Sequence, residues 1–117
     1  MAHPFREIRA WQACHTLALT LYAATKKFPR DELFALTAQT RRAAYSAPAN
    51  IAEGAAKGSD REFRRYLNIA LGSLGELEYA LLMAHDLKYL DAAAWRKLEE
   101  LRSTASKLTW GLYSSLK

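Results

Sequence analysis

Seven apolar residues in one stretch, Phe63, Leu67, Ala70, Leu74, Leu77, Leu81 and Ala84, alternate spacings of four and three without a slip. An α-helix returns side chains to one face at that interval, so the run predicts a long helix with a continuous apolar seam. Such a heptad seam packs on a neighbouring helix at a shallow crossing angle of roughly 20°. A later stretch has a similar pattern of threes and fours through Trp95, Leu98, Leu101, Ala105, Leu108 and Leu112. The 117 residues include no valine and only three isoleucines. With residues that suit a pleated sheet so scarce, the chain is predicted to be all-α.

Punctuation delimits two more helices before these. The first is predicted from about Phe5 to Phe28 and is closed by Pro29. It carries two adjacent stripes, Ile8, Trp11, Ala18 and Tyr22 beside Cys14, Leu17, Leu21, Ala24 and Phe28, and so has more than one neighbour. The second is predicted from about Asp31 to Ala56, with Leu33, Leu36, Thr40, Ala43, Ala47, Ile51 and Ala55 inward. Pro48 inside it predicts a kink near Tyr45 rather than a break. Gly58 suits a left-handed cap, and Ser59 with Glu62 has capping-box spacing for the third helix. The third helix is expected to end near Lys88, and Asp91 to cap the fourth. Rods of similar length joined by short loops run up-down-up-down. The expected fold is an antiparallel four-helix bundle, one domain over residues 1–117.

Cys14 is the only cysteine, so no intramolecular disulfide forms. The N-terminus lacks the apolar core of a signal peptide, and the longest uncharged stretch, Ala10 to Thr25, is too short and polar to span a bilayer. A cytoplasmic protein without a membrane partner is expected. The net charge of +5 permits an anionic partner without requiring one.

Arg42, Ser46, Asn50, Glu53 and Lys57 share a stripe on the second helix. Asparagine is costly in mid-helix. Asn50 and Glu53 are therefore read as hydrogen-bonding a neighbouring helix or subunit and fixing its register, in preference to binding a ligand. On the third helix, Tyr66, Ile69, Ser73, Glu76, Ala80 and Met83 form a partly apolar strip beside the seam. It is read as a subunit interface, with burial against the first helix as the alternative. Gly72, Ser73 and Gly75 are read as points of close helix approach.

Catalytic signals are weak. His3, His15 and His85 are scattered, and no Glu-x-x-His pair of a di-iron bundle occurs. No catalytic residue, metal or cofactor is predicted. Arg9 and His15 do have the Arg-x5-His spacing of the helical ribonucleases of the HEPN class. Ala10, however, stands where those enzymes usually carry a polar residue, and the motif lies on the first helix instead of a late one.

The block Ser46-Ala-Pro-Ala-Asn-Ile-Ala-Glu-Gly54 is followed by Gly72-Ser-Leu-Gly-Glu-Leu77, and preceded by Trp11-Gln12, Phe28-Pro29 and Leu36-Thr-Ala-Gln-Thr-Arg-Arg-Ala-Ala44. In this order the blocks resemble the bacterial four-helix-bundle family encoded within intervening sequences of 23S ribosomal RNA genes, over nearly the whole chain. That family is similar in fold to the accessory protein of diversity-generating retroelements, a pentameric barrel that binds nucleic acid and a reverse transcriptase. The resemblance implies a cyclic homo-oligomer, a pentamer for preference, and brings no catalytic residue.

Two readings follow, a non-enzymatic oligomer binding structured RNA or DNA, and a protein-interaction scaffold for a nucleic-acid enzyme such as a reverse transcriptase. A HEPN-like ribonuclease using Arg9 and His15 stands third. Connectivity points to a basic pole, where Arg6, Arg9, Lys57, Arg61, Arg64, Arg65, Lys107 and Lys117 face Glu7, Glu53, Asp60 and Glu62. Lys57, Arg61, Arg64 and Arg65 are the expected nucleic-acid contacts, aided by free backbone N–H groups at the start of the third helix.

Overall fold

The computed structural model describes residues 4–116, so His3 and Lys117 lie outside the described residues. Four α-helices make up the fold: α1 (Arg9–Thr25), α2 (Leu36–Ala55), α3 (Asp60–Asp86) and α4 (Ala92–Ser115). Helices α1 and α3 each pack on both α2 and α4, giving an antiparallel four-helix bundle of 45 × 24 × 19 Å. No strand occurs among the described residues.

The two long helices start as their sequence dictates. Ser59 Oγ accepts the Glu62 amide at 3.1 Å to cap α3, and Asp91 Oδ1 accepts the Ala94 amide at 2.8 Å to cap α4. Gly58, at φ +77°, supplies the left-handed turn between α2 and α3. Helix α3 ends at Asp86, and Lys88 itself takes the left-handed conformation at φ 68°.

The first two helices are shorter than predicted. Phe5–Glu7 is a separate 3-10 turn, and extended Ile8 divides it from α1. The α1–α2 connection is also longer than expected, because Arg30–Glu32 forms a 3-10 turn of its own. The Glu32 carboxylate reaches over to accept the Leu36 amide at 3.3 Å, so α2 begins there and not at Asp31. Glu32 is held in turn by the Tyr89 hydroxyl at 2.7 Å, a contact between distant turns that local spacing does not encode. As a result Leu33, expected inward, is 49% exposed. Pro48 lies inside α2 without ending it.

All seven residues of the α3 seam are buried in one core cluster with Cys14, Leu17 and Leu21 of α1, Ala43, Ala47, Ile51 and Ala55 of α2, and Leu98 and Ala105 of α4. Each leucine so buried contributes about 1.5–3 kcal/mol. Helix α4 differs in phase from the expected seam. Its buried line is Leu98, Arg102, Ala105 and Thr109, whereas Trp95, Leu101, Leu108 and Leu112 are half-buried beside it. Arg102 tolerates this position because Glu99 grips its guanidinium with two oxygens at 3.0–3.1 Å from Nε, and Glu78 of α3 lies 3.5 Å away.

Candidate nucleic-acid interface

The Ser59 cap fixes the phase of α3, and helical spacing then puts Arg61, Arg64, Arg65 and Asn68 on one face of its first turns. Together with Glu62 and Tyr113 of α4 they line an open groove of about 800 Å³. The structure thus brings Arg61, Arg64 and Arg65 together. Lys57 is set outside the groove walls, 4.0 Å from Glu53 and 5.5 Å from the Tyr66 ring centroid.

The three arginines are in different states. Arg64 lies with its guanidinium carbon 4.1 Å from the Tyr113 ring centroid, and its Nε donates to the Tyr113 carbonyl at 3.4 Å. That carbonyl belongs to the last turn of α4 and also accepts the Leu116 amide at 3.3 Å, so Arg64 shares it with the helix's own C-cap. Arg65 pairs with Glu62 at 3.3 Å and lies 4.5 Å from the Tyr66 ring. The hydrogen bonds from Arg65 hold the Glu62 carboxyl below its ordinary value, and Glu62 raises Arg65 in return. Arg61 is exposed and makes no ion pair among the described residues. The expected backbone contribution is smaller than predicted, because Ser59 already occupies the Glu62 amide.

The register residues meet along the α2–α3 contact. Ser73 Oγ donates to Ser46 Oγ at 2.8 Å, the Tyr66 hydroxyl donates to Glu53 at 3.2 Å, and Arg42 lies 3.9 Å from Glu76. Asn50 bonds its own helix instead, donating to the Ser46 carbonyl at 2.8 Å and to Ser46 Oγ at 3.0 Å. It reaches α3 only through Ser46. The two polar stripes therefore face each other within one subunit, and α2, not α1, covers the α3 strip. Ser73 and Ala80 are buried and Tyr66 and Met83 half-buried, while Ile69 and Glu76 remain exposed.

Close backbone approach falls at a glycine other than the two expected. A Cβ on Gly54 would stand 2.7 Å from Tyr66 Cβ and 3.0 Å from Phe63 Cδ1. Gly72 and Gly75 are exposed, with nothing within 4 Å of a Cβ. Their predicted role in helix packing does not hold within the subunit, since both point away from the α3 seam.

Arg9 and His15 make no constellation. Six helical residues set them on different sides of α1, and His15 stacks on Trp11 at 4.7 Å and 13°. Cys14 is fully buried beside Thr109 at 3.9 Å. Burial pushes its thiol up to about 11, which leaves it a poor nucleophile. No cluster of three or more His, Cys, Asp or Glu side chains suited to a metal occurs among the described residues. No described helix is long and apolar enough to cross a membrane.

The sequence profile of the 23S rRNA-intervening sequence protein family matches residues 6–111. The chain belongs to that family. A crystal structure from Bacteroides thetaiotaomicron, described as a protein with unknown function from the S23 ribosomal protein family, superimposes with a TM-score of 0.83. It is 23% identical, and the match covers 90% of this chain and 95% of that one. At this identity the likeness carries the fold. No curated protein matches the chain.

In this intervening-sequence protein, sequence reasoning missed three residues beside the basic groove. Asn68 was legible, since it stands one turn beyond Arg64 and Arg65. Tyr113 and Trp110 lie on α4, and their rings stack at 5.5 Å and 28°. Nothing local to α3 signals them; only the antiparallel return of α4 brings them there.

Proposed function

We propose that this protein is a non-enzymatic oligomer that binds structured RNA through its basic pole. The observation that carries the reading is the groove at the start of α3, where Arg61, Arg64 and Arg65 converge and Glu62 is the one carboxylate among the lining residues. Guanidinium groups suit phosphate because their planar fork offers paired donors. Such binding is dominated by the backbone and weakens steeply as salt rises. Lys57, beside Glu53 and Tyr66 at the same end of the bundle, extends the field around the groove.

Assembly belongs to the same reading. A homo-oligomer with cyclic symmetry, a pentamer by resemblance to the retroelement accessory protein, would repeat the basic pole around a ring. The α1–α2 face offers the apolar surface that a second copy would cover. Leu19, Tyr22 and Tyr45 are 60%, 40% and 64% exposed around a shallow apolar groove of about 340 Å³. Ile69, Gly72 and Glu76 of α3 are the other exposed candidates. Light scattering at micromolar concentration tests assembly, and a monomer would remove this part of the reading.

Electrophoretic shift with a structured RNA at about 50 and 200 mM salt tests the binding. Charge reversal of Arg64 and Arg65 is expected to abolish the shift, and reversal of Lys26 and Lys27 at the far pole to leave it. Equal damage at both poles would defeat the polar-end reading. No shift at low salt would favour a protein partner for the same surface.

A further inference from the structure

We propose that Trp110 is a stacking platform for an unpaired nucleobase, set beside the cations that hold the neighbouring phosphates. The inference rests on the basic-pole reading above and names the part of a structured RNA that is recognised, its unpaired nucleotides. Trp110 is 58% exposed yet not loosely placed, since one side of its indole stacks on Tyr113 at 5.5 Å. Tyr113 is in turn packed by the Arg64 guanidinium at 4.1 Å. Tyr113 thus contacts both the indole on the surface of α4 and the guanidinium in the groove on α3. The Arg64 bond to the Tyr113 carbonyl fixes the guanidinium end.

The surroundings choose the occupant. Trp110 is one helical turn from exposed Lys107, and besides Tyr113 its neighbours on the same face of α4 are Ser106, Lys107 and Ser114, none of them apolar. An apolar protein surface laid on the indole would also strip water from Lys107 and the groove arginines without pairing them. A nucleic-acid strand satisfies both halves, giving a π-face to the indole and phosphates to the cations. A fully paired duplex offers the phosphates but keeps its base faces stacked. Discrimination between paired and unpaired strands therefore falls to Trp110, and the charge-driven part of binding to the arginines.

The test uses fluorescence anisotropy with a labelled oligo(rA) of about 12 nucleotides and a duplex RNA of similar length, each titrated at two salt concentrations. Trp110→Ala is expected to weaken the single strand about 5- to 100-fold, to change duplex affinity by less than about twofold, and to leave the salt slope unaltered. Trp110→Phe is expected to restore most of the loss. The exposed position makes both variants compatible with the fold, which circular dichroism checks. Unchanged single-strand affinity in Trp110→Ala, or equal losses for strand and duplex, would overturn the platform. If reversal of Arg64 and Arg65 still abolished binding in that case, the basic-pole reading would stand alone. Failure of the unaltered protein to bind either RNA at about 50 mM salt would overturn both.

Discussion

Toward α2, helix α3 approaches so closely that a Cβ on Gly54 would meet Tyr66, whereas toward α4 the polar links are made by long arginine side chains. The α2 side is closed by Ser46 with Ser73 and Glu53 with Tyr66, and its one arginine link, Arg42 to Glu76, is an exposed pair at 3.9 Å. The two hydrogen bonds consume their donors in fixing one helix against the other. On the α4 side the outcome depends on what each arginine finds. Arg102 is 9% exposed and bound by Glu99 and Glu78, so its charge is spent within the fold. Arg64 finds an aromatic ring and a single carbonyl, and keeps donors free for an anion. Residue type therefore does not separate a structural cation from an available one. Enclosure does: Arg102 is buried between two carboxylates, whereas Arg64 has none and exposed Arg65 has one.

The sharpest way to break this comparison is to add a methyl group at the close contact. Gly54→Ala must move Tyr66 or Phe63, and is expected to cost about 2–3 kcal/mol, lowering Tm by roughly 8 °C or more. An unaltered thermal melt would show that the α2–α3 seam yields easily and is not the rigid side. The arginines come next. Arg102→Ala is expected to lose about 2 kcal/mol in urea unfolding while keeping RNA affinity. Arg64→Ala should lose less than about 1 kcal/mol but weaken RNA binding about fivefold or more. The opposite pattern would exchange the two roles.

Smaller effects sharpen the picture. Glu62→Gln frees Arg65 and removes the groove's carboxylate, and is expected to raise RNA affinity about two- to fivefold at low salt. Reduced affinity would mean that Glu62 positions Arg65 rather than competing for it. Gly72→Ala, on the open face of the same helix, is expected to stabilise the subunit by about 0.5–1 kcal/mol through helix propensity. A loss of stability that grows with protein concentration would place Gly72 at a contact between copies.

Features set by neighbours along the chain were legible in the sequence. The α3 seam, the Ser59 and Asp91 caps and the Gly58 turn depend on spacing and residue chemistry within a turn or two. Gly54 was legible too, because it stands three residues beyond Ile51 on the buried stripe of α2. Gly72, two residues from Ala70 and from Leu74, falls on the far side of α3 by the same geometry. What escaped is tertiary in origin. Arg102 reads as a surface residue until Glu78 arrives from another helix, and the late start of α2 needs Tyr89. The groove itself was half legible. Its arginines follow one another on α3, but its aromatic wall comes from the other end of the chain.

The clasp between Tyr89 and Glu32 joins the α1–α2 hairpin to the α3–α4 hairpin at the pole opposite the basic groove. Its hydrogen bond keeps the phenol protonated, raising Tyr89 above its ordinary value of 10.0. Its stabilising effect is therefore complete below that value and declines as pH climbs through the raised one. Alkali should thus unfasten the molecule at one end first. The Leu36 amide, capped by the same carboxylate, would exchange early in a hydrogen-exchange series at high pH. The arginine groove would still be intact, its guanidinium groups ionised throughout that range. The two hairpins are in this sense a pair of hinged leaves, with the catch and the grip at opposite edges.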